Sequence, residues 1–81
     1  MPRYFFNVFD GADVIDEDGT DLPDMYVAQA QAIRMSGELL REMGVKYWDG
    51  THWRMEVSNI KGKILFVLQL SAHEYPSLLD P

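Results

Sequence analysis

Trp53-Arg54-Met55-Glu56-Val57-Ser58, then Asn59-Ile60-Lys61-Gly62-Lys63, then Ile64-Leu65-Phe66-Val67-Leu68-Gln69-Leu70 is the stretch that decides the fold. In its first segment Trp53, Met55 and Val57 alternate with Arg54, Glu56 and Ser58, the period of two expected of a half-buried strand. The middle segment holds a turn at Gly62. The last segment is apolar on both faces, as in a strand covered from two sides. The pair predicts a hairpin with one strand more central than the other.

Upstream, Leu22-Pro23-Asp24 leads into the best-defined element. Asp24 suits the N-cap, where its carboxylate accepts a hydrogen bond from a first-turn amide. Ala28, Ala32, Met35, Ser36, Leu39, Leu40 and Met43 then recur at spacings of three and four, with Gln31, Arg34, Glu38 and Arg41 opposite. This predicts an amphipathic helix of about five turns. Gly44 stands where a left-handed C-cap belongs, and Arg41 favours the negative end of the helix dipole. Gly37, costly inside a helix, predicts close packing against a sheet.

Arg3 to Phe9 reads as a strand with Tyr4, Phe6 and Val8 on one face and Phe5, Asn7 and Phe9 on the other. Asp10-Gly11 is a turn signal, and Val14-Ile15 predicts a short returning strand. The fold class is therefore α+β: a small sheet of three to four strands, in the order β-β-α-β-β, with one amphipathic helix on one face. Residues 1–72 form the domain, and 73–81, with two prolines and no periodicity, an irregular tail. One helix covers one sheet face, so Phe5, Phe9, Leu65 and Val67 are the expected contacts of a homodimer packed on the other.

At 81 residues the chain has room for one domain. It has no cysteine, which excludes disulfides, thiolate metal sites and cysteine nucleophiles. No signal-peptide pattern opens it, and no apolar run approaches the roughly 18 residues of a membrane span. A cytoplasmic protein outside the membrane is expected. The net charge of −6 is unevenly placed. Asp10, Asp13, Asp16, Glu17, Asp18, Asp21 and Asp24 fall within fifteen residues that hold no Lys or Arg, so −7 lies there and +1 on the rest. Nucleic-acid binding, which draws its affinity from Lys and Arg, is disfavoured.

The opening Met1-Pro2-Arg3-Tyr4-Phe5-Phe6-Asn7-Val8, the segment Asp16-Glu17-Asp18-Gly19-Thr20-Asp21-Leu22-Pro23-Asp24 and Trp48-Asp49-Gly50 followed by Trp53-Arg54-Met55-Glu56-Val57 resemble a family of short alphaproteobacterial proteins known as a domain of unknown function. The resemblance covers residues 1 to about 72. Members often carry histidine where this chain has Asn7, so a role for an imidazole there does not extend to it. The resemblance implies a bacterial cytoplasmic setting and brings no catalytic residue.

The acidic segment invites comparison with a calcium loop. With Gly19 at the sixth position, Asp16 and Asp18 fall on the third and fifth, but Val14 takes the first and Met25 the twelfth, so both end ligands are missing. Asp16, Asp18 and Asp21 remain candidates for an irregular cation site, against the simpler roles of turn-forming and helix-capping residues. Asp16, Glu17, Asp18 and Asp21, with Trp48, are equally candidates for docking a basic protein partner. His52 and His73 lack metal-ligand spacing, and no serine-nucleophile, phosphate-loop or dinucleotide motif is present. Trp48 and Trp53 flank an Asp-Gly-Thr-His turn, beside Lys46, Tyr47 and Arg54, where hairpin packing competes with base stacking.

The reading that follows is a non-enzymatic interaction or regulatory module, dimeric, without cofactor, presenting its acidic loop to another protein. The alternatives are a small-ligand or divalent-cation module at a dimer cleft, and an antitoxin-like accessory to nucleic acid.

Overall fold

The computed structural model describes residues 1–11, 13–43 and 53–72. Within them the order is β1 (Arg3–Phe9), β2 (Asp13–Val14), β3 (Thr20–Asp21), α1 (Met25–Met43), β4 (Trp53–Ser58) and β5 (Ile64–Leu70). The fold is α+β, with one helix and an antiparallel sheet of five strands among the described residues. The sheet runs β2-β1-β4-β5, and β3 pairs with β1 along the edge that β2 also uses. No helix of the described residues is long and apolar enough to cross a membrane.

Two details differ from the sequence expectation. The returning strand is Asp13–Val14, one residue earlier than Val14-Ile15, because Val8 aligns with Val14 and Phe9 with Asp13. A further strand, β3, lies inside the acidic segment, with Arg3 opposite Asp21 and Tyr4 opposite Thr20. Two residues are too few to show a period, so nothing local announces it.

The core lies between the sheet and α1. Tyr4, Phe6 and Val8 from β1 and Trp53, Met55 and Val57 from β4 point to the helix side, in register as Phe6–Val57 and Val8–Met55. Each such side chain contributes about 1.5–3 kcal/mol when fully buried. Ala28 and Ala32, both fully buried, give the helix a flat contact face, and Met35, Leu39 and Leu40 widen it. The buried Ser36 hydroxyl reaches Met55 Sδ at 3.8 Å.

Asp24 caps α1 as expected: its Oδ1 accepts the Val27 amide at 3.0 Å, and its carbonyl accepts the Ala28 amide. The reason proposed for Gly37 does not hold. It is exposed, and a Cβ built there meets no atom within 4 Å, so packing against the sheet does not require a glycine. The C-cap expected at Gly44, the turn at Asp49-Gly50 and the tail 73–81 lie outside the described residues.

The β4–β5 hairpin is closed by Asn59. Its Oδ1 accepts the amides of Lys61 and Lys63, its carbonyl accepts the Gly62 amide, and its own amide donates to the Lys63 carbonyl. Gly62 takes a φ of 81°, a left-handed conformation that glycine adopts freely. The pair contains a bulge between Val57 and Ser58, which shifts the register around Leu65. Of the two strands β4 is central, while β5, the more apolar, lies at the edge.

Candidate functional site

The acidic segment folds as a cover along the outer edge of β1. β2 pairs with the end of that strand and β3 with its start, leaving Phe5, Phe6 and Asn7 between the two short ladders. Asp16 fills the gap. Its Oδ2 accepts the Phe6 amide at 3.1 Å, its Oδ1 accepts the amides of Asp18 and Gly19, and its own amide donates to Asn7 Oδ1 at 2.9 Å. A carboxylate suits this position because it accepts several N–H groups at once and carries no donor to oppose them.

Arg3 ties down the other end of the segment. Its Nε and one terminal nitrogen grip the two Asp21 oxygens at 2.9 and 3.1 Å, and its second terminal nitrogen donates to the Asp18 carbonyl at 2.8 Å. The hydrogen bond from Arg3, reinforced by its charge, holds the Asp21 carboxyl below its ordinary range. Gly19 turns the chain between these anchors with a φ of 76°. A Cβ there would lie 2.8 Å from both Arg3 Cγ and the Phe5 ring. Backbone angle and close approach therefore both call for glycine.

The candidate ligands thus have separate tasks. Asp16 serves backbone amides and Asp21 serves Arg3, while Asp18 turns its carbonyl to Arg3 and its side chain outward. Among the described residues no cluster of three or more acidic or histidine side chains is placed to hold a metal. The carboxylates of Asp13, Glu17 and Asp18 are exposed and form no ion pair among the described residues. Trp48, His52 and His73 lie outside the described residues.

Beside this segment the sheet face turned away from α1 carries Phe5, Asn7 and Phe9 opposite Ser58, Glu56 and Arg54. Arg54 lies over the Phe9 ring, 4.5 Å from its centre, and its Nε donates to Glu56 at 2.8 Å. Phe5 and Phe9 therefore share this face as expected, but an ion pair sits among them. Val67 is exposed on β5, aligned with Glu56, whereas Leu65, at the bulge, packs against the core cluster. Sequence reasoning missed the charged centre, since Arg54 and Glu56 read simply as the wet face of a hairpin.

A groove of about 220 Å³ opens where this face meets the acidic segment. Phe5, Ile15 and Ile60 supply apolar walls, and Asn7, Asp16, Ser58 and Asn59 supply polar ones. Its parts come from β1, the loop before β3 and the β4–β5 turn, which lie far apart in sequence. The exposed Ile15 and Ile60 could have hinted at it, as apolar residues within otherwise polar turns.

No curated protein and no solved structure matches the chain. Residues 3–71 match the family model for Domain of unknown function (DUF6894), which spans every element described above, from the start of β1 past the end of β5. The chain belongs to the DUF6894 family.

Proposed function

We propose that this domain is a non-enzymatic protein-binding module that recognises a basic segment carrying an apolar side chain. The observation that carries the reading is the adjacency of two features. The groove walled by Phe5, Ile15 and Ile60 is continuous with the acidic segment, whose Glu17 and Asp18 follow directly on the groove-lining Asp16. An apolar side chain in the groove would gain from burial, and a neighbouring Lys or Arg would meet the exposed carboxylates of Glu17 and Asp18, which form no ion pair among the described residues. The anchoring by Asp16 and Arg3 also supports the reading, because a loop already held in place loses less entropy on binding.

A divalent cation is the weaker alternative, because Asp16 and Asp21 would have to leave their present partners to become ligands. Titration with lysine- and arginine-rich peptides containing one leucine or isoleucine, followed by amide NMR, tests the proposal. Shifts should concentrate at Ile15, Glu17, Asp18 and Ile60, and should weaken as salt rises. The double change Glu17→Ser with Asp18→Ser should reduce affinity while preserving the fold. Equal affinity in that variant, or no binding of any such peptide at low salt, would overturn the reading.

A further inference from the structure

β5 is a strand of interior composition placed at an edge. All seven of its residues are uncharged and six are aliphatic or aromatic, a pattern expected of a strand flanked on both sides. Edge strands are ordinarily protected by charge, proline or bulges; β5 has neither charge nor proline, and its bulge lies at Leu65, leaving Phe66–Leu70 regular. Here Ile64, Val67 and Leu70 are 50%, 43% and 39% exposed, and among the described residues no strand pairs with the outer side of β5. Its main-chain groups on that side form a template for another strand.

We propose that this edge pairs with β5 of a second copy, antiparallel about a two-fold axis, to give one continuous sheet. Full overlap of the strand with itself fixes the register. Val67 falls on the axis opposite its own copy and Phe66 faces Leu68, while beyond Phe66 the bulge at Leu65 interrupts the regular pairing, so the junction is centred on Phe66, Val67 and Leu68. No charged residue meets another across the junction. Phe66 and Leu68, half-buried and packed on the core, then gain apolar neighbours on their open side.

The placement of charge selects a second copy as the occupant. The −7 segment covers the β1 edge, at the opposite side of the sheet. Pairing through β5 leaves seven strand spacings between the two acidic segments, roughly 34 Å at about 4.8 Å per spacing. That is well beyond the screening length of about 8–10 Å at ordinary ionic strength. Association along the β1 edge would instead bring the two segments together. Stacking of the open faces would desolvate the Arg54–Glu56 pair, which is costly unless both charges are matched anew.

Light scattering on the full chain should give about twice its 9.3 kDa mass. Val67→Lys would set like charges opposite each other on the axis and should weaken the dimer by roughly tenfold or more while the circular dichroism spectrum is preserved. Because the chain has no cysteine, a single introduced thiol reports its own location. Val67→Cys should link to its copy with a short bismaleimide, and Ile33→Cys, exposed on the outer side of α1, should not. The linking result stands even if Val67→Lys fails to fold. A monomer at high concentration, an undiminished dimer in Val67→Lys, or linking at Ile33→Cys but not Val67→Cys would overturn the proposal.

Discussion

Along the β1 edge of the sheet the chain returns as two short strands joined by a carboxylate-rich loop, with Asp16 taking the Phe6 amide that neither strand reaches. Along the β5 edge runs a strand of seven uncharged residues with no strand of the described residues on its outer side. One edge is closed by two short strands with a carboxylate between them; beside the other no strand of the described residues lies. The difference teaches that the acidic segment has a structural task before any binding task. Three of its carboxylates, Asp16, Asp21 and Asp24, hold the cover to β1 or start the helix, and the charge that remains outward is carried on a framework already fixed.

The strongest way to break this contrast is Gly19→Ala. A left-handed backbone at a residue with a Cβ costs on the order of 1–3 kcal/mol, and displacing the Phe5 ring or the Arg3 stem adds to it. Urea unfolding should show the loss, and wild-type stability would mean that the cover does not need its turn. Asp16→Ala comes next. It leaves the Phe6, Asp18 and Gly19 amides without their acceptor, with an expected loss of about 1–3 kcal/mol. Amide hydrogen exchange at Phe6 should quicken while that at Met55 in the central strand stays slow; unchanged exchange at Phe6 would refute the gap-filling role.

Arg3→Gln sharpens the comparison with the smallest effect, because its ion pair is solvent-exposed. The Asp21 carboxyl is lowered in the folded chain, so its stabilisation is present above its unfolded pKa and is lost as pH falls through the lowered folded value. In Arg3→Gln the Asp21 titration followed by NMR should move up toward the ordinary carboxylate range, and the acid limb of the stability curve should flatten. An Asp21 titration identical to wild type would show that the pair does not persist in solution.

Much of the fold was legible from short windows. The alternation of β4, the two faces of β1, the spacing of α1 and the Asp24 cap all appear where their residues demand them. The site was legible only in outline. The composition of residues 10–24 marked the segment as unusual, and the missing calcium-loop end ligands excluded one use of it. Nothing in that window distinguished Asp16, bound to backbone, from Glu17, turned outward, because their partners lie on β1. Gly37 misled for a related reason: a helix glycine signals close approach only if something approaches, and nothing does within 4 Å.

What the sequence determined by itself was set by neighbours a few residues apart: side-chain period, capping, turn residues, and a charge so concentrated that the remaining domain is nearly neutral. What the tertiary structure decided depends on pairings across longer loops, such as Phe6 with Asp16 and Arg3 with Asp21, ten and eighteen residues apart. Strand order belongs to the same class. β4, with its arginine and glutamate, became central because both β1 and β5 align with it, and the apolar β5 was left at the edge. Ladder hydrogen bonds are made by the backbone, which is the same in every strand. A strand's composition therefore states which environment would suit it, and only the assembled sheet states which one it has.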